Sequence, residues 1–560
     1  MAREDPNARP AGEQAQALDQ DGIDGVVGLV IGKARKLAGQ AKPLEICLKL
    51  IAGEGPAELA DEIARLPPAW RDHAIAGVFA LLMPRDRRKS LGAYFTPPHV
   101  VDHLISRLYE FGVDPAGHRL RDPAAGGAAF LVPLARLMAS AWRNDGVGDE
   151  EIVERLRQRL EGREIDPDLA TLANALLRRM LVDELEIAVD TVGELTLIST
   201  GDSLDSPEYG EPTADHEVGN PPFLRLAHRN LPAAADRYSD IAAGRVNLYA
   251  LFVRRGLDAL PRGGVLGYVV PASFLGGPEF GLFRARVTEL AEVLAIDIME
   301  KRSAVFLDAI QDTCFLLLRK RAKALTAPPA STASSDALLH DGTRARRGEA
   351  EIGTGMAPWK LPGGADHLPA LLVDWGYRGT IGYLVANRQL ERLHEERADG
   401  LLPLVWAKSI TTDGKFDFDR GAAFKGKGWT SAPPDAPYVI RSGCVAVQRT
   451  SSRGQRRRLA AAPISAEFVT EHGGIVAENH VIILVPSGPD AAAPEDLAAA
   501  LNLASVSDAL NCVCGSASIS VRLLESLPLP APPERNFLTG RPDHRKCWHP
   551  IPAQAVGAAS

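Results

Sequence analysis

The chain has 560 residues, 46% of them hydrophobic and 24% charged, with a formal net charge of −8. That composition suits a globular protein of two or three packed domains. It contains no run of about 18 apolar residues of the kind that spans a bilayer, and its polar start, Met1-Ala2-Arg3-Glu4-Asp5-Pro6, does not read as a secretory signal, so the cytoplasm is the expected compartment and no membrane partner is expected.

Residues 1–90 read as a helical N-terminal extension whose first ~20 residues are too polar to fold alone. Apolar positions recur at three and four residues in Ile46-Cys47-Leu48-Lys49-Leu50-Ile51 and in Ala74-Ile75-Ala76-Gly77-Val78-Phe79. From about Leu91 short apolar strands alternate with helices. Glu150 to Leu160 is a charged amphipathic helix, and Val265–Pro271 and Thr313–Leu318 suit buried strands of a mainly parallel sheet. Residues 91–325 therefore read as a doubly wound α/β domain. Residues 326–372, with Pro328-Pro329 and Ser331-Thr332-Ala333-Ser334-Ser335, read as a linker on the surface. Residues 373–533 form a second domain, α+β, with shorter strands and more turns, and 534–560 a tail. The six cysteines (Cys47, Cys314, Cys444, Cys512, Cys514 and Cys547) lack zinc-site spacing, so structural thiols and no metal are expected.

Six local patterns follow one another in the α/β region. Gly92-Ala93-Tyr94-Phe95-Thr96-Pro97-Pro98 precedes a helix that the prolines can open, leaving amides and the Thr96 hydroxyl free for a carboxylate. Leu120-Arg121-Asp122-Pro123-Ala124-Ala125-Gly126-Gly127-Ala128 is a strand ending in an acid, then small residues, where a nucleoside or amino-acid moiety can touch backbone. It is not the spaced-glycine dinucleotide fingerprint. Glu164-Ile165-Asp166-Pro167 places a carboxylate at the next strand end, suited to ribose hydroxyls, and Gly201-Asp202 places a third, suited to an adenine amino group. Each alone is equally an ordinary turn.

Val218-Gly219-Asn220-Pro221-Pro222-Phe223 decides between these readings. An exocyclic amine on a purine is a poor nucleophile because its lone pair is delocalised. The Asn220 side-chain oxygen and the Pro221 carbonyl offer two acceptors that favour a pyramidal nitrogen. Pro221 and Pro222 stiffen that backbone, and Phe223 offers a ring for stacking. Asn247-Leu248-Tyr249, Phe252, Gly263-Gly264-Val265 and Val305-Phe306 complete the series.

Taken in order, these motifs resemble the gamma class of N6-adenine DNA methyltransferases, to which the TaqI-like modification enzymes belong. The resemblance covers roughly residues 90–320. It implies a Rossmann-like S-adenosylmethionine-dependent methyltransferase domain followed by a target-recognition domain. By that resemblance Thr96 touches the methionine end of S-adenosylmethionine, Asp122, Ala124 and Gly126 line its pocket, Glu164 holds the ribose, Asp202 the adenine amino group, and Phe252 packs on the cofactor adenine. Asn220 and Pro221 bind the target amine, with Phe223 and Phe306 stacking on a flipped base. Phe223 stands where the family often has tyrosine. Gly126-Gly127-Ala128 stands where it usually has Gly-x-Gly, and a positive φ at Ala128 would cost cofactor affinity.

In the C-terminal half, Arg449, Arg453, Arg456, Arg457 and Arg458 lie in a stretch without acids, and such a cluster suits phosphates and guanine edges of double-stranded DNA. The resemblance implies the modification component of a restriction-modification or defence system, with any restriction endonuclease encoded separately. The alternatives are methyl transfer to RNA guanine or protein glutamine, and a non-catalytic DNA-binding subunit that keeps the fold.

Overall fold

In the computed structural model of the chain, residues 18–39, 42–91, 96–205, 214–226, 238–241, 246–299, 312–339, 341–363, 368–433, 435–450, 458–513 and 518–533 are described. No helix among them is long and apolar enough to cross a membrane.

The N-terminal apolar spacing produces four helices, α1 (Gln20–Leu37), α2 (Pro43–Ile51), α3 (Ala57–Ala64) and α4 (Pro68–Leu82). Helix α1 starts on Asp19, whose carboxylate accepts from the Gly22 amide at 2.9 Å. It buries Ile23, Val26, Val27, Val30 and Ala34 on one face. Helix α4 differs: every residue from Ala74 to Leu82 is buried, because the helix is apolar on all sides and is enclosed by neighbours. These helices share one continuous core with the α/β domain. The region packs as a layer on the α/β half.

Helix α5 (Pro98–Glu110) opens on the proline pair. Strands β1 (Leu120–Asp122), β2 (Leu160–Glu164), β3 (Ile198–Thr200), β4 (His216–Gly219), β5 (Val265–Pro271), β6 (Ala291–Met299), β7 (Thr313–Lys320), β8 (Ser331–Leu338) and β9 (Arg344–Ile352) form one sheet in the order β9-β8-β6-β7-β5-β4-β1-β2-β3. Strands β1 to β5 pair in parallel, with Leu120 beside both Leu160 and His216. Strand β7 runs antiparallel between β5 and β6. The chain steps outward from β1 to β3 and returns to β4 on the other side of β1, so a crevice opens at the carboxyl ends of β1 and β4. Helices α6 (Leu131–Asn144), α7 (Asp149–Arg159) and α8 (Pro167–Arg179) link the first three strands, and α9 (Leu248–Ala259) and α10 (Gly281–Leu290) flank the rest.

Residues 331–352, expected as part of a surface linker, are instead β8 and β9 of this sheet. The polar composition of β8 conceals its burial. Ser335, Asp336 and Ala337 are buried, and Asp336 is paired with Arg344 at 2.5 Å. The exposed arginines of β9 sit on a sheet edge, where charge discourages further pairing.

Among the described residues, 377–533 build two small sheets and five α-helices. Tyr377–Ile381, Val481–Pro486, Cys444–Gln448 and Ala461–Ile464 form an antiparallel sheet in that spatial order, and Leu393–His394, Trp429–Ser431, Leu401–Val405 and Val476–Ala477 form the second. This region closes on the α/β domain where the Leu361 amide donates to the Cys512 carbonyl at 2.9 Å.

Candidate active site

Each acid that the sequence places at a strand end lies at the carboxyl edge of the sheet. Asp122 ends β1 and is almost wholly buried. Its Oδ1 accepts from the Ala124 amide at 3.0 Å, and burial pushes its carboxyl up to about 8 against one backbone donor. Glycine at 219 is dictated by this contact, since a methyl group there would stand 2.7 Å from Asp122 Oδ1. Glu164 ends β2 and is held by two amides, Gly126 N at 2.9 Å on Oε2 and Asp166 N at 3.0 Å on Oε1. Burial raises its pKa as well. Asp202, beyond β3, accepts from the Leu204 amide at 2.8 Å, and the neighbouring Ser203 hydroxyl donates to the Pro123 carbonyl at 2.6 Å. The three strand ends are thus stitched to one turn, residues 122–128.

That turn carries two left-handed residues, Gly126 with φ 54° and Ala128 with φ 60°. Glycine takes this conformation freely, but an L-alanine pays roughly 1–2 kcal/mol for it. The position where the family usually has glycine therefore retains the glycine backbone without the glycine.

Asn220 follows β4 and sits beside Thr96. Its Nδ2 donates to the Thr96 hydroxyl at 3.0 Å. Its Oδ1 is buried and has no hydrogen-bond partner among the described residues. A buried amide oxygen without a donor costs roughly 1–3 kcal/mol. The side chain is pinned at one end with its acceptor left open. Phe223, three residues on, is half-buried and stands edge-on to Tyr249, with ring centroids 6.5 Å apart and planes at 87°. Phe252, on α9, packs in the same apolar cluster as Leu204, with Ala124 against it. Pro221 is buried and Pro222 half-buried. Thr96, Asp122, Ala124, Gly126, Glu164, Asp202 and Asn220 are thus gathered at the carboxyl ends of the parallel strands by these hydrogen bonds, while Phe306 lies outside the described residues. Among the described residues no group of three or more His, Cys, Asp or Glu is arranged to hold a metal ion.

The arginine cluster is a different case. Arg458 is not a surface residue: it is 2% exposed, and its Nη1 stands 3.9 Å from the buried Asp312 Oδ2 of the α/β domain. It is an internal tie between the two halves. Arg449 is half-buried and donates to the Asn479 carbonyl at 3.0 Å. Arg453, Arg456 and Arg457 lie outside the described residues. A charge run identifies positive residues but not which of them the fold draws inward.

A groove of about 560 Å³ in the C-terminal region went unread in the sequence; Trp406, Lys408, Phe424, Lys425, Asn479 and His480 are among the residues that line it. Lys425 Nζ stands 5.6 Å from the Trp406 ring centroid and Lys408 Nζ 6.0 Å from that of Phe424. Lys425 holds a left-handed φ of 69°, a strained setting of the kind found at ligand clamps. The signal available in the sequence was the aromatic–lysine adjacency in Trp406-Ala407-Lys408 and Phe424-Lys425.

The sheet order, with its crossing point between β1 and β4 and one antiparallel strand set between β5 and β6, defines a Rossmann-like α/β domain. Residues 213–306, which contain Asn220-Pro221-Pro222-Phe223, match the family described as Eco57I restriction-modification methylase. The chain is 29% identical over 236 residues to the type II methyltransferase M.PaeR7I of Pseudomonas aeruginosa, a match covering 41% of this chain and 40% of that protein. It is 26% identical over 222 residues to the type II methyltransferase M.BsuBI of Bacillus subtilis, covering 40% and 42%. Each match spans under half the length of the relative. The type IIL restriction-modification enzyme MmeI in complex with DNA aligns over 91% of this chain and 88% of that one, at 11% identity and a TM-score of 0.49. Over part of its length the chain is thus similar to type II methyltransferases and to a restriction-modification methylase family.

Proposed function

We propose that the chain is an adenine-specific DNA methyltransferase, the modification component of a cytoplasmic restriction-modification system. On this reading residues 91–325 catalyse transfer from S-adenosylmethionine to N6 of an adenine, and residues 373–533 hold double-stranded DNA.

The cofactor residues fit the proposed group. The turn at 122–128 is built from small residues, and Glu164 and Asp202 each stand at a strand end with further lone pairs for ribose hydroxyls and an amino group. When bound, S-adenosylmethionine supplies an electrophilic methyl group carried on a sulfonium. The rest is positioning. An adenine must leave the duplex stack for its amine to reach the crevice, and Phe223 offers its half-buried ring to that base. Asn220 Oδ1 and the Pro221 carbonyl accept the two amine hydrogens, and these bonds strengthen as the nitrogen becomes tetrahedral. Asn220 and Pro221 hold the amine for attack on the methyl group, the carbon–sulfur bonding pair stays with the departing cofactor, and the proton the amine loses passes to solvent. The groove lined by Lys408 and Lys425 offers two ammonium groups to the phosphate backbone.

The observation that carries this reading is Asn220, with its amide nitrogen occupied by Thr96 and its oxygen buried without a donor. The test is a partition experiment with methyl-tritiated S-adenosylmethionine offered DNA, RNA and protein together. Label in DNA, recovered as N6-methyladenine after nuclease digestion, is the expected result. Label confined to RNA or protein contradicts it.

A further inference from the structure

Ammonium groups on phosphates hold a duplex without reading it. Reading a base needs a polar atom of fixed donor or acceptor character, presented outward from rigid backbone. The groove that contains Lys408 and Lys425 also contains such an atom. The turn Glu478-Asn479-His480 forms part of its lining. Three backbone hydrogen bonds pin that turn: the Glu478 amide donates to the Val405 carbonyl at 3.0 Å, the Asn479 amide to the Leu384 carbonyl at 2.9 Å, and the Arg449 amide to the His480 carbonyl at 2.8 Å.

Glu478 is buried, its side chain 5% exposed, and both of its oxygens are turned on His480. Oε2 accepts from the His480 backbone amide at 3.0 Å, and Oε1 meets the ring Nδ1 at 2.5 Å. A carboxylate only accepts, so Nδ1 is the donor and, in the neutral ring, Nε2 is an acceptor. The imidazole itself is 54% exposed. Gln448, in the same lining, has the same polarity: its amide nitrogen is spent on the carbonyls of Ala407 at 2.9 Å and Ile410 at 2.8 Å, which leaves its oxygen. The groove thus offers two acceptors of fixed sense alongside two ammonium groups.

The groove is also within reach of the crevice. Thr450 lines it, and eight residues on, Arg458 meets Asp312. The Asp312 carbonyl accepts from the Ala272 amide at 2.8 Å, just past the carboxyl end of β5. Eight residues span at most about 29 Å, less than one turn of duplex at ~34 Å. Groove and sheet edge are therefore close enough to serve one site on one duplex.

Resting on the function proposed above, we infer that His480 is a specificity-determining residue: its Nε2 accepts a hydrogen bond from the exocyclic amine of a base in the major groove, N6 of an adenine or N4 of a cytosine. Glu478 is the positioning residue that fixes the tautomer. Guanine and thymine present carbonyl oxygens at the same place, and there acceptor would meet acceptor.

The test uses the full chain. Sites carrying N6-methyladenine are mapped by sequencing in a host without adenine methylation, for the wild type and for His480→Ala, with His480→Leu as the second variant should the first not fold. Discrimination at one position of the site is expected to fall roughly 5- to 150-fold in the variant, the range of a single base contact, while the other positions and the calorimetric affinity for S-adenosylmethionine hold. Synthetic duplexes of the mapped site then carry, at that position, an adenine or cytosine analogue without its exocyclic amine. The analogue should weaken binding to the wild type by a similar factor and leave binding to the variant nearly unchanged; which analogue does so tells adenine from cytosine. An unchanged site preference in a folded variant overturns the inference, as does an amine deletion that costs wild type and variant equally. A wild-type protein that methylates no DNA defeats the function proposal itself, a separate result.

Discussion

The α/β half and the C-terminal half yielded to sequence reading very differently. In the first, function is tied to the ends of parallel strands, so chain order becomes spatial order along one sheet edge. An acid after an apolar run is placed by the backbone before its side chain is considered. Asp122, Glu164, Asp202 and Asn220 all stand where that rule puts them. In the second half, function was sought in a run of like charges, and nothing in such a run says which way each side chain points. Arg458 went inward to Asp312, while two lysines apart in sequence came together in a groove.

The largest effect that tests this contrast is at the crevice. Asn220→Ala should lower turnover by about 10²- to 10³-fold, the cost of removing one preorganised hydrogen-bonding group, while leaving calorimetric affinity for S-adenosylmethionine largely intact. Equal losses in rate and affinity would move Asn220 from the chemistry to the cofactor.

Arg458→Ala sharpens the other side. If Arg458 is an internal tie, its loss should destabilise the protein by roughly 1–3 kcal/mol, because a buried side chain and its contact with Asp312 are removed. The salt dependence of DNA binding should not change. A normal melting temperature with a flattened salt slope would restore Arg458 to the DNA surface. Lys408→Ala with Lys425→Ala should do the reverse: the log–log slope of affinity against salt falls by about 1.8, at ~0.9 per phosphate contact, and thermal stability holds. An unchanged slope removes the groove from the DNA path.

Asp122 gives a smaller, pH-dependent signal. The folded chain holds its carboxyl at about 8, far above the ordinary 3.8, so between those values the folded state keeps a proton that the unfolded chain releases. This component of stability is largest at low pH and declines as pH rises from about 4 toward 8. Melting temperatures of wild type measured against Asp122→Asn should show the wild type losing ground over that range. Parallel curves would mean that Asp122 is ionised in the fold. The smallest effect belongs to Ala128→Gly, which should relieve the roughly 1–2 kcal/mol of left-handed strain, partly offset by the freedom glycine adds to the unfolded chain, and tighten cofactor binding. Weaker binding would show that the methyl group contributes contacts worth more than the strain.

Much of the fold was legible because apolar periodicity survives in short windows. The β5 run Val265–Pro271 is buried at every position, as its sequence demands. Strands β8 and β9 were not legible, since a strand of serine, threonine and alanine looks like a linker until Arg344 neutralises Asp336. Ala128 shows the middle case: the sequence marked the departure from glycine, and the positive φ supplied its consequence.

The central claim is that Asn220 and Pro221 turn an exocyclic purine amine into a nucleophile. The most direct test is mass spectrometry of nucleosides from a host without adenine methylation expressing either the wild-type chain or Asn220→Ala at equal folded levels. N6-methyldeoxyadenosine with the wild type, and its near absence with Asn220→Ala, is the predicted result. Undiminished N6-methyldeoxyadenosine with the variant, or no modified adenine with the wild type, contradicts the account.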